Sequence, residues 1–246
     1  MTAIPRVLGS GTPCAGSRAL HCAGRAIRSA PLTFAYLLVL IATTGLLSSE
    51  SAQNDDRLLL ELSTNLHQLA HDPVRVLVGS VFWTSGWPEL ALWATLFAAV
   101  LVPVERRLGG RRVALAFGAG HVGATLVVAG GLWIALRLGV VPSSISLERD
   151  VGASYGFVAV AALASYLLGP RQRVLYLTVL LGYVLAAAAL SHTFTDFGHL
   201  VAVAIGLACR PLARPRAAPR HVPGLRSRFE AIAVRFTRLA GETSSS

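Results

Sequence analysis

Six apolar stretches fill most of this 246-residue chain, and they constrain its fold more than any other feature. They cover about residues 31–48, 87–104, 113–136, 151–168, 174–190 and 194–212. A helix that crosses a bilayer needs ~20 mostly apolar residues, somewhat fewer where it packs on other helices. The composition agrees: 54% of the chain is hydrophobic and 14% charged, against about 25% charged in an ordinary soluble domain. The predicted class is an all-α polytopic membrane protein. It divides into a basic tail (1–30), a membrane domain (31–212) and a second basic tail (213–246).

Arginine orients the stretches. All 22 basic residues are arginine, and they gather as Arg25 and Arg28 before the first stretch, "ERRLGGRR" after the second, "GPRQR" after the fourth and "RPLARPR" after the sixth. With six crossings all four clusters fall on one side, which the positive-inside rule makes the cytoplasm. The connections on the other side carry most of the acidic residues. The expectation is a multi-pass protein of the cell membrane with both termini cytoplasmic. Small residues at Ser49 and Ser51 also fit a cleaved leader, but an n-region of 30 residues is long for one. A retained first helix keeps the termini together.

A net charge of +10 raises the question of nucleic acid. No zinc-finger spacing or RNA-binding sheet signature accompanies it, so the basic tails are assigned to anionic lipid headgroups and nucleic acid is set aside. Leu225, Phe229, Ile232, Phe236 and Leu239 recur at helical spacing in the second tail with arginines between them, the pattern of a surface-lying basic helix or else of a disordered tail. Residues 55–71 interleave leucine with charge and predict an interfacial helix, either a cover over the bundle or a wall controlling access from lipid. Cys14, Cys22 and Cys209 form neither a disulfide framework nor a metal spacing.

Polar groups inside apolar stretches are costly and mark function or inter-helix packing. Here they are Glu89 and Thr95, His121, Ser154 and Ser165, and Asp196 and His199. Ser154, in "DVGASYGFVAV", stands in the first turn of its helix, where backbone amides and the helix dipole favour an alkoxide and an oxyanion. Its bland role is an N-cap or a small packing residue beside Gly152 and Gly156. His199 enters its helix from the same side at similar depth, with Ala202 and Gly206 following on a small-residue face that permits close approach. A serine and a histidine within hydrogen-bond reach are the minimum for nucleophilic acyl transfer. Asp196 either orients that imidazole or caps its helix. Glu105 and Arg107 pair with each other or with backbone groups to fix a turn. His121 in "GAGHVGAT" is read as a histidine bonded to a neighbouring helix or, less simply, as a proton relay of a transporter.

Three of these segments, taken together and in order, resemble the rhomboid superfamily. "VERRLGGRR" resembles its Glu-x-Arg-x-Gly turn, with Glu105, Arg107 and Gly109 in the motif places. "GASYG" resembles its Gly-x-Ser-Gly, and "GHLVAVAIG" its histidine helix. The resemblance covers about residues 31–212 and implies a six-transmembrane-helix rhomboid-like bundle. It also implies an intramembrane serine protease that cuts transmembrane protein substrates without a cofactor or metal, with Ser154 as nucleophile and His199 as base. The chain departs from the pattern where the family's oxyanion-binding His-x-x-x-Asn would fall, since those places hold Glu89 and Trp93. Tyr155 stands where the family has the second glycine. Val158 stands where an aromatic packs on the histidine, with Phe157 as the nearby substitute. These departures suit a divergent bacterial branch, and they keep a second reading open: a catalytically inactive member that binds transmembrane helices as clients.

Overall fold

The computed structural model describes residue 24 and residues 27–49, 52–147, 151–191 and 193–214. Among them the regular structure is helical throughout, without a strand. The amphipathic pattern of the second tail lies outside the described residues.

Helix α1 (Pro31–Leu47) begins with proline at its first turn and Ala30 as N-cap, a side chain that cannot accept a bond. The cap comes instead from Glu105. Its carboxylate accepts from the Leu32 amide at 2.9 Å, the Thr33 amide at 2.8 Å and the Thr33 hydroxyl at 2.6 Å. Four helix-start amides lack intrahelical partners in any helix, and a buried carboxylate at that end also meets the positive end of the dipole. After α1 come three short helices, α2 (Ala52–Glu61), α3 (Leu66–His71) and α4 (Pro73–Gly79), the last tightening into a 3₁₀ turn, Ser80–Phe82.

The single interfacial helix expected over 55–71 is therefore broken. Asn65 accepts from the Gln68 amide and starts α3 anew. Asp72, with Pro73 behind it, does the same for α4 by accepting from the Arg75 amide.

The second apolar stretch is one continuous rod, Trp87–Leu108. It consists of α5 (Trp87–Leu96), a π-helical turn (Phe97–Leu101) and α6 (Val102–Leu108). In the π turn the Val102 amide reaches back to the Phe97 carbonyl, next to Pro103, which has no amide to give. Gly109 then turns the chain with φ +85° and donates its amide to the Glu105 carbonyl at 2.7 Å. That left-handed conformation favours glycine. Helices α7 (Gly110–Arg137), α8 (Ser154–Ala164, with a 3₁₀ turn Ser165–Leu167), α9 (Pro170–Ser191) and α10 (Phe194–Ala208, with a 3₁₀ turn Arg210–Ala213) complete the chain.

Helix α8 is apolar all round, which suits only a helix surrounded by others. Every residue from Tyr155 to Leu163 is buried. It packs chiefly between α7 and α10, while α9 lies outermost and exposes Leu175, Val179 and Tyr183. Two ends of the assembly are distinguishable. At one, Glu105 caps α1, Arg107 donates to the Leu167 carbonyl below α8, and Arg112 donates to the Leu212 and Arg214 carbonyls below α10. Ser154 and His199 stand at the other. All six apolar stretches are thus helices. Three of them, Trp87–Leu108, Gly110–Arg137 and Pro170–Leu190, are long and apolar enough to cross a membrane, and the rest are shorter apolar helices.

Candidate active site

Ser154 is the first helical residue of α8 and is half-buried. Ala153 occupies the N-cap position, and no side chain caps this helix, so Ser154 does not perform the N-cap role. The chain reaches it through Gly152, whose φ of +116° again favours glycine and whose amide donates to the Ser80 carbonyl at 2.9 Å. The first bond into the helix is given by the Phe157 amide to the Ala153 carbonyl. The Ser154 amide precedes that bond, at the end where helix amides point outward.

The segment from Leu77 to Ser85 forms a strap across this entrance. Helix α1 holds it through Tyr36, which donates to the Val81 carbonyl at 2.6 Å, Thr43, which donates to the Phe82 carbonyl at 2.7 Å, and Thr44, which shares a 2.7 Å bond with Thr84. Helix α7 holds it through His121, whose Nε2 lies 3.0 Å from the Leu77 carbonyl and 3.3 Å from Ser80 Oγ. A carbonyl only accepts, so Nε2 carries the proton. The histidine of the third stretch is accordingly bonded to a neighbouring element. Its Nδ1 is buried without a partner.

Glu89 anchors the last part of the strap. Its Oε2 accepts from the Ser85 amide at 2.6 Å, and its Oε1 accepts from Trp93 Nε1 at 3.0 Å. A side chain on Gly152 would begin 3.7 Å from Glu89 Oε1, so this carboxylate stands beside the turn that leads into Ser154. The two places where the resemblance implies an oxyanion-binding pair thus hold a carboxylate and an indole bonded to each other. Thr95 bonds back to its own helix through the Ala91 carbonyl, and Ser165 Oγ is buried at the far end of α8 without a partner.

His199, half-buried, lies in the first turns of α10. Thr193 and Asp196 form a capping box there: Asp196 Oδ2 accepts from the Thr193 amide at 3.1 Å and from its hydroxyl at 2.7 Å. Of the two roles open to Asp196, capping is the one its Oδ2 performs. The close approach of α8 and α10 is made by two glycines of α10. A Cβ on Gly206 would fall 2.1 Å from the Ala159 carbonyl oxygen, and one on Gly198 would fall 2.4 Å from the Tyr155 ring. Gly156, grouped with these in the sequence, serves the other neighbour, since a Cβ there would meet Phe117 of α7 at 2.5 Å.

Tyr155 therefore lies over Gly198 and turns its ring to the edge of the His199 ring, centroids 5.3 Å apart. The aromatic neighbour of the histidine is Tyr155, not Phe157, which packs on Trp93 and Phe97 instead. Among the described residues it is this ring contact, rather than a hydrogen bond from Ser154, that links the serine's helix to His199. Sequence reasoning also passed over Ser80, Thr84 and Ser85. The available signal was Asp72-Pro73, a helix start that makes 73–82 a structured element. Among the described residues no group of three or more His, Cys, Asp or Glu could hold a metal ion.

The described residues thus form a helical membrane protein in which a buried helix that begins at a serine is clasped, through glycines, by a helix that bears a histidine in its second turn. The family model described as Rhomboid-like protein matches residues 25–219, and the chain belongs to that family. Neither a curated protein nor a solved structure matches the chain.

Proposed function

We propose that the protein is a divergent intramembrane serine protease that uses Ser154 as nucleophile and His199 as general base on transmembrane protein substrates. The observation that carries this reading is the clasp of α10 on α8 through Gly198 and Gly206, which sets the helix of His199 directly against the helix that begins at Ser154. His199 takes the proton of Ser154 Oγ as it attacks the scissile carbonyl and gives it to the departing amine; water then releases the acyl group. Catalytic hydrogen bonds are often long in a resting enzyme and tighten around substrate, so a half-buried pair on clasped helices suits the role. The Ser154 amide, ahead of the first helical bond, is the donor available for the oxyanion. We take the chain to cross the membrane six times with the Glu105 end cytoplasmic, which puts Ser154 toward the outer leaflet.

The alternative, an inactive member that binds transmembrane helices, draws support from one feature. Glu89 and Trp93 are bonded to each other where oxyanion donors belong, and an ionised carboxylate donates nothing. The two readings separate on cleavage of a transmembrane reporter in proteoliposomes. For a protease, Ser154→Ala and His199→Ala each abolish cleavage and the double variant is no worse than either. Cleavage that survives Ser154→Ala, or none by the wild type while it still retains the reporter helix, excludes the protease reading.

A further inference from the structure

Beyond the contact of their first turns, α1 and α7 part to leave a groove of about 320 Å³ that runs up to the strap. Its walls are Leu32, Ala35 and Val39 from α1 and Ala114, Phe117 and Gly118 from α7, and the strap residues Val81 and Phe82 close its upper end. Two polar groups border it, and both are spoken for: the Thr33 hydroxyl donates to Glu105 and the Tyr36 hydroxyl to Val81. What remains is hydrocarbon. Gly118 is open toward this space, because a Cβ there meets nothing within 4 Å. A space so lined takes an apolar chain and offers a polar one no hydrogen bond. The acyl chain of a surrounding lipid satisfies that lining.

Charge at the mouth selects the head of that lipid. Arg111 precedes Ala114 and Gly118 by three and seven residues, so it lies on the same face of α7. A Cβ on the adjacent Gly110 would fall 3.2 Å from Leu32 Cβ, so the starts of α7 and α1 lie against each other. Arg28 and Arg111 are exposed, and Arg106 donates to Ser29 between them. Among the described residues the ion pairs are Arg57–Glu61 and Arg75–Glu61, both remote from this mouth. Glu105, the acid near the groove, is consumed by the start of α1. Among the described residues, therefore, the arginines at this mouth have no carboxylate partner, and a guanidinium matches a phosphate through paired N–H bonds.

We infer that this groove is a binding site for an anionic glycerophospholipid, with one acyl chain between α1 and α7 and the phosphate at Arg111 and Arg28. The site is separate from Ser154 and stands whether or not the protein cleaves. Native mass spectrometry of the full chain, loaded with palmitoyl-oleoyl phosphatidylglycerol or phosphatidylcholine, tests it. Wild type retains phosphatidylglycerol over phosphatidylcholine by roughly tenfold. The double variant Arg28→Gln/Arg111→Gln loses that preference, and Gly118→Leu, which fills the groove, loses retention of both lipids. Should Gly118→Leu not fold, the exposed arginine variants carry the test. Equal retention of the two lipids by wild type overturns the inference, as does a preference unchanged in the arginine variants. So does complete displacement of the lipid by inorganic phosphate, which would mark a headgroup site that owes nothing to the groove.

Discussion

Tyr155 and Phe157 are two residues apart, hence roughly 200° apart around a helix, and that rotation decides which of them meets the histidine. Tyr155 faces α10 and His199, and Phe157 faces the second stretch and Trp93. The sequence made the presence of an aromatic near the serine legible but not its facing, because the rotation of α8 is set by Gly198, a residue more than forty positions away whose missing side chain admits the tyrosine ring. The Glu89–Trp93 bond was legible in principle, since residues four apart share a helix face. At this scale Glu89 yields a prediction. On the proposed mechanism its negative charge beside Gly152 would oppose a developing oxyanion, whereas Glu89→Gln keeps an acceptor for Ser85 or Trp93 and removes the charge. The rate of fluorophosphonate labelling is expected to rise on the order of tenfold. A rate that is unchanged or lower in the folded variant would show that the carboxylate serves the strap alone.

At the scale of elements, the six apolar stretches all became helices with ends close to those expected, because long apolar runs bounded by Pro, Gly and Arg leave little choice. The outer connection was less legible. Its helices α2, α3 and α4 are short, and their division depends on the caps Asn65 and Asp72 rather than on periodicity. Contacts between elements rest on particular glycines, which gives a graded prediction. Gly206→Ala places a methyl carbon against the Ala159 backbone and is expected to cost about 1–3 kcal/mol, read as a lowered midpoint of thermal unfolding in detergent. Gly182→Ala on the outer helix α9 meets nothing within 4 Å, and its higher helix propensity leaves stability the same or slightly greater. Glu105→Ala belongs with the costly change, since it removes the cap of α1 and its three bonds and should cost about 2–3 kcal/mol. Equal midpoints for all three variants would mean that the helices are not held by these contacts.

Over the whole molecule, a polar entrance and an arginine-rich base are set at opposite ends of one helical body, joined by α8 at the centre and by the strap above it. Topology is the first consequence. Reporters fused after Arg112 and after Arg173 are expected to report cytoplasm, and fusions near Asn65 and Glu148 the outer side; a mixed pattern contradicts six crossings. The central claim is that the serine at this entrance is a nucleophile, and mass-spectrometric mapping of the fluorophosphonate adduct on the full chain in bilayers tests it most directly. A single adduct is predicted on the peptide that bears Ser154, lost in His199→Ala although the serine remains, and unaffected by Ser165→Ala. An adduct elsewhere, or one on Ser154 that forms as fast without His199, would contradict it.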